Sequence, residues 1–132
     1  MLNNHFSKSL KQLRSAIKSG KKVYGIFGSP ILHSLSPLMH NEVFKLKNLD
    51  ALFLSFQVDK IELKEALAIV KNEGISGLSI TLPLKENIID LLDNLTPDAK
   101  RIGSVNTIDF KNKKLKGFIF SFSLQLFSFS SL

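Results

Sequence analysis

Apolar residues in this chain follow two rhythms, short continuous runs and helical stripes, each closed by a turn residue. Residues 23–27 (VYGIF) form a run that stops at Gly28-Ser29-Pro30, which predicts a buried strand entering a turn. Ser36-Pro37 then opens a helical pattern, with Ser at the cap, Pro at the first helical position and apolar residues at Leu38, Met39, Val43, Phe44 and Leu46. Asn48-Leu49-Asp50 closes it. Residues 51–58 (ALFLSFQV) predict a second strand. Asp59, with Glu62 three residues on, predicts a capped helix that runs through Leu63, Ala66, Leu67 and Val70 to Gly74. A third strand is expected over 77–82 (GLSITL), broken by Pro83, then a short helix over 85–92 and another begun by Thr96-Pro97-Asp98. Two last strands, 104–110 and 114–118, are joined by the polar turn Lys111-Asn112-Lys113. Ahead of all these, Phe6, Leu10, Leu13 and Ile17 fall at helical spacing and predict a helix packed on the domain edge. Strands alternating with helices imply an α/β fold: a mostly parallel sheet flanked by helices on both faces, with an antiparallel C-terminal edge hairpin.

Composition narrows the chemistry more than the fold. The 132 residues suffice for one domain with a real core, and 44% hydrophobic and 22% charged residues are ordinary for a globular chain. Cysteine is absent, which excludes disulfides, thiolate metal sites and cysteine nucleophiles and fits a reducing cytoplasm. No apolar run reaches the roughly eighteen residues that span a bilayer, and no secretory signal stands at the N-terminus, so no membrane partner is expected. The net charge of +7 changes the picture less than its size suggests. Residues 1–22 hold six basic groups (Lys8, Lys11, Arg14, Lys18, Lys21, Lys22) and no acidic one, whereas the remainder has twelve basic and eleven acidic residues. A nucleic-acid surface is a basic stripe built into the fold, and here the excess belongs to a leader, so no nucleic-acid partner is expected. The leader is mostly Lys, where transit peptides favour Arg.

Open α/β sheets bind ligands beyond the carboxyl ends of their strands. The polar residues predicted there are Ser34 and Ser36 after the first strand, Thr81 and Lys85 after the third, and Asn106 and Thr107 at the hairpin edge. Hydroxyls, an amide and an ammonium suit a small polyhydroxylated acid. Each has a plainer reading. Ser36 taken alone reads as an N-cap, Lys85 as solvated surface, and Thr81 and Asn106 as partners for strand-end backbone groups. His33 and His40 lack the spacing of a metal pair and read as a loop and a helix-face histidine. The nucleotide fingerprint G-x-G-x-x-G occurs nowhere.

Together these residues sit in three stretches that carry a resemblance. YGIFGSPILHSLSPLMHN (24–41), GLSITLPLKE (77–86) and IGSVNTI (102–108), in that order, closely resemble the signatures of shikimate dehydrogenases, over roughly residues 23–118. The family has an N-terminal substrate domain followed by a Rossmann domain for NADP, and it reduces 3-dehydroshikimate reversibly to shikimate on the route to chorismate and the aromatic amino acids. The resemblance implies that Ser34 and Ser36 hold the substrate carboxylate and Thr81 touches the ring substituents nearby. It makes Asn106 the partner of a ring hydroxyl and Lys85 the catalytic lysine beside the hydroxyl that is oxidised. Ser79 stands where most bacterial members carry Asn, and it joins the expected substrate contacts. Loss of hydride from carbon requires a proton acceptor at the adjoining hydroxyl, and a lysine serves only when burial or a carboxylate assists it.

Two departures follow the last strand. The family reads Gly-x-Asn-Thr-Asp there, with the Asp paired to the catalytic Lys, whereas here Gly117-Phe118-Ile119-Phe120-Ser121 puts Ser at that place. From Gly117 to Leu132 there is no charge, and five of the eleven Phe lie in that stretch. Alternation over 118–126 is compatible with a strand, but it slips phase at Phe127. The stretch is read as a frameshift or truncation product that contributes little to the fold and presents an uncharged β-prone edge. The expected organisation is a basic helical extension (1–22), a shikimate dehydrogenase-like substrate domain (23–118) and a Phe/Ser/Leu tail (119–132). The NADP site of the family is expected to be absent from the chain, which would then bind substrate weakly without completing catalysis. The alternative is a stand-alone, non-catalytic binding module for shikimate-like hydroxy acids.

Overall fold

The computed structural model describes residues 2–130, the side chains of Phe122 and Phe127 excepted. The basic leader forms helix α1 (Asn4–Lys18), started by the Asn3 side chain, which accepts from the Phe6 amide at 2.8 Å. Phe6 and Leu13 are fully buried, so the helical stripe packs as the spacing predicts. There follow β1 (Lys22–Gly28), α2 (Ser36–Leu46), β2 (Ala51–Gln57), α3 (Leu63–Glu73) and β3 (Gly77–Ile80). Asp59 and Glu62 form the capping box ahead of α3, the Glu62 carboxylate accepting from the Asp59 amide at 3.0 Å. The second half is β4 (Asn94–Leu95), α4 (Pro97–Ile102), β5 (Thr107–Asp109), β6 (Lys116–Phe118) and α5 (Phe122–Ser130).

The six strands make one sheet in the order β2-β1-β3-β5-β6-β4. β1 pairs in parallel with β2 and β3, β4 in parallel with β6, and β5 runs antiparallel to both its neighbours. Five strands therefore point one way and β5 alone is reversed. The antiparallel pairing expected at the C-terminal end is present, with the two-residue β4 added outside it.

Successive residues of a strand face opposite sides of a sheet, and here each side is covered. On one side Phe6, Val23, Phe27, Phe56, Leu67 and Leu78 pack beneath α1 and α3. On the other, Tyr24, Ile26, Phe44, Phe53 and Phe129 pack with α2 and α5. The outer edge of β2 is closed by side chains. Asn41 of α2 accepts from the Phe53 amide at 2.8 Å and donates to its carbonyl at 3.0 Å. From α1, Ser9 donates to the Ser55 carbonyl, the Gln57 amide donates to His5 Nδ1, and Asn3 donates to the Gln57 carbonyl.

Two expectations are corrected. Residues 85–92 form turns and a short 3-10 segment at Ile89–Leu91 in place of a helix. The Lys85 carbonyl is taken by the Val105 amide at 3.0 Å, and the Ile89 amide donates to the Glu86 carbonyl at 3.3 Å, the tighter 3-10 spacing. Nor does the chain beyond Phe118 continue as a strand. Phe118 pairs with Thr107, where β5 begins, so the partner ends there. Ser121 then accepts from the Leu124 amide at 3.3 Å and starts α5. Far from standing apart, α5 buries Phe129 to 5% exposure against Tyr24, with ring centroids 4.8 Å apart. Ser131 and Leu132 of the expected tail lie outside the described residues.

Candidate functional site

Three backbone ties gather the expected site at one end of the sheet. The Thr81 amide donates to the Phe27 carbonyl, the Leu84 amide to the Thr81 carbonyl, and the Val105 amide to the Lys85 carbonyl, each at 3.0 Å. These join the end of β1, the loop after β3 and the approach to β5. Gly28 closes the junction because a Cβ there would lie 2.3 Å from Thr81 Cγ2, so any side chain would push Thr81 away. The methyl of Thr81 thus faces Gly28. The loop that leaves Gly28 carries Ser34 and Ser36, and Ile31 beneath it is buried.

One of the plainer readings fails, that of Ser36 as a helix cap, whereas Asn106 does partner backbone groups just past the end of β6. Ser36 is the first residue of α2 and not its cap, a place taken by Leu35. The Ser34 hydroxyl turns back to accept from the Ser36 amide at 3.2 Å, which fixes the two serines relative to each other. Among the described residues, the hydroxyls of Ser36 and Thr81 form no hydrogen bond and the Lys85 ammonium forms no ion pair. All three are partly exposed, so their polar ends are open to a ligand.

Asn106 is more constrained. Its Nδ2 donates to the Phe120 carbonyl at 2.6 Å, and its Oδ1 accepts from the Phe120 amide at 2.9 Å and from the Thr107 hydroxyl at 2.9 Å. With both acceptor positions of the amide oxygen filled, Asn106 retains one N–H for anything else. Ser79 is 2% exposed on β3, and its hydroxyl has no partner among the described residues. Sequence reading missed Gln125, whose Nε2 donates to the Asn106 carbonyl at 2.7 Å and the Thr107 hydroxyl at 2.8 Å. The signal was slight: Gln125 is the one amide side chain after Gly117.

No group of three or more His, Cys, Asp or Glu among the described residues is arranged to hold a metal. His33 is exposed in its loop. His40 is fully buried in α2 and stacks on Phe53 with centroids 4.1 Å apart, and burial pushes its pKa down to about 4. It is a neutral core ring. The crossover loops after β1 and β2 carry no run of glycines, and Gly28 is packed against Thr81. Among the described residues, no helix is long and apolar enough to cross a membrane.

The fold is an α/β domain whose sheet has one reversed strand and a hydroxyl-rich carboxyl end. The shikimate dehydrogenase substrate binding domain family matches residues 26–108, and the chain belongs to it. It is 46% identical over 98 residues to a shikimate dehydrogenase (NADP(+)) of Geobacillus sp. strain WCH70, covering 74% of this chain and 35% of that protein. A shikimate 5-dehydrogenase from Listeria monocytogenes, solved in complex with shikimate and NAD, superposes with a TM-score of 0.73 at 38% identity over 75% of this chain and 34% of its own. One from Thermus thermophilus, solved with NADP(H) and shikimate, gives a TM-score of 0.71 at 34% identity over 74% and 37%. The chain spans about a third of the length of the curated relatives it matches.

Proposed function

We propose that the carboxyl end of this sheet binds shikimate or 3-dehydroshikimate. The domain would thereby hold substrate for the NADP-dependent interconversion named for its relatives. The observation that carries the reading is the set of polar ends at Ser36, Thr81 and Lys85 without protein partners, gathered by backbone ties in a chain of this family. Ser34 and Ser36 hold the carboxylate. Thr81 and Ser79 meet ring substituents, and the remaining N–H of Asn106 donates to a ring oxygen. Lys85 lies beside the hydroxyl whose proton is exchanged as the alcohol becomes a ketone.

The same reading has the 132-residue chain bind weakly and turn nothing over. Two observations support this. Lys85 lacks an ion-pair partner among the described residues, and Ser121, where the resemblance expects a carboxylate, serves as the helix cap of α5. They equally favour the second reading, a binding module for shikimate-like acids that never turned over.

Calorimetric titration of the chain with shikimate tests the site. Millimolar-range binding is expected, and Ser34→Ala with Ser36→Ala should remove it, since each hydrogen bond to a charged group is worth about 1.5–3 kcal/mol. Equal affinity in the double variant would remove the serines from the site. NADP-dependent oxidation of shikimate by the chain alone would refute both the incomplete-catalysis reading and the binding-module reading.

A further inference from the structure

Away from the hydroxyl-rich end, a cavity of about 650 Å³ lies along the α5 face of the sheet. Its floor follows from sheet register. Tyr24, Gly77 and Asp109 form one row across β1, β3 and β5, and Thr107 lies two residues along on the same face of β5. Gly77 lies beneath the Phe129 ring, and the open floor beside it carries the short side chains of Asp109 and Thr107. The walls are aromatic. On one side Phe129 stacks on Tyr24, and a Cβ at Gly77 would lie 2.8 Å from Phe129 Cε1, so the glycine admits this ring. On the other, Phe118 and Phe120 stand with centroids 5.0 Å apart. β1 and β6 are three strand spacings apart, so the walls rise from lines about 14 Å distant.

The rim is basic: Lys22, Lys71, Lys111 and Lys113 all line the cavity, against Asp109 as its acidic group. None of the four lysines is in an ion pair among the described residues. The Tyr24 hydroxyl, in a side chain 2% exposed, has no hydrogen-bond partner there either. The volume falls within the range of small-molecule sites, and low floor, ring walls and cationic rim together fit a flat apolar body with a negative end.

We propose that this cavity binds a small aromatic carboxylate, its ring between the two aromatic walls and its carboxylate at the lysine rim. Asp109 opposes that anion, and it sets the sign of one test. Nothing in the proposal draws on Ser34, Ser36 or Lys85, so it stands or falls apart from the shikimate reading.

The experiment is calorimetry with amide shift mapping on the full chain, using 2-naphthoate as probe beside the neutral 2-naphthylmethanol and the cationic 2-naphthylmethylamine. Naphthoate should bind once per chain, at least tenfold tighter than either analogue, and should shift the Gly77 and Asp109 amides. Lys71→Glu with Lys111→Glu should weaken it tenfold or more, and Asp109→Asn should tighten it. Circular dichroism confirms that each variant is folded, and Lys71→Gln with Lys111→Gln is the milder substitute if the reversals unfold it. Equal binding of the three probes, no response to the rim variants, or displacement of naphthoate by shikimate would each overturn the assignment.

Discussion

Acidification should destabilise this domain through His40. Its imidazole lies fully buried on α2, parallel to the Phe53 ring within 5° and beside Phe44 and Phe129. Burial holds its pKa at about 4, against 6.5 in an open chain. Between those values the unfolded chain binds a proton that the folded one refuses, so folding stability falls as pH falls. The contribution is intact above pH 6.5 and exhausted below 4. It totals on the order of 3 kcal/mol, of which about 2 kcal/mol is lost between about pH 7 and pH 4.5. Urea unfolding at stepped pH measures this directly, with His40→Phe as the variant that cannot titrate. The wild-type chain should lose about 2 kcal/mol more than His40→Phe over that interval. His40→Leu replaces it if the larger ring overpacks. Parallel losses in wild type and variant would show that the acid sensitivity lies elsewhere.

Three further outcomes are expected. Asn106→Asp sets a carboxylate oxygen against the Phe120 carbonyl now bonded at 2.6 Å, and it should cost about 1–3 kcal/mol at neutral pH, recovering relative to wild type as acid restores a donor proton; a deficit that ignores pH would contradict this. Gly28→Ala should displace Thr81 and lower stability by about 1–3 kcal/mol, and a crystal structure with Thr81 unmoved would refute the close-approach argument. Cutting the chain after Phe118 removes Phe129 from its aromatic cluster and should lower stability by about 3–5 kcal/mol in chemical denaturation; an equally stable, more soluble product would restore the loose-tail expectation.

What the sequence made legible was local. Gly28, Pro83 and Gly74 punctuate their elements, and Asp59 with Glu62 announces α3, because caps and turns act within a few residues. Ser34, Ser36, Thr81, Lys85 and Asn106 could be placed at one end of the sheet because strand direction alone puts them there. The misses are long-range in cause. β4 exists because Asn94 and Leu95 pair with Lys116 and Gly117, which no local pattern in a two-residue strand reveals. The helix expected over 85–92 gives way to the bond between Lys85 and Val105. By sequence the tail reads as a loose product of frameshift or truncation, and nothing in its Phe/Ser alternation announces α5, which starts at Ser121 and is held by Phe129 against Tyr24. Burial of His40 is likewise set by Phe53 and Phe129, neither within its own helix.

The closure of the β2 edge makes α1 something more than a buttress. Three of the five bonds that cover that edge come from α1 and its cap, at Ser55 and Gln57, while Asn41 holds only the Phe53 end. Detaching the basic segment therefore bares two adhesive features together: the hydrogen-bonding groups of half an outer strand, and the sockets of Phe6 and Leu13 behind it. A second copy of the chain can supply both at once with its own α1, swinging on the short connection at Ser19, Gly20 and Lys21. The contacts so made are the native ones, so reciprocal exchange of α1 between two copies restores both the β2 edge and the sockets of Phe6 and Leu13.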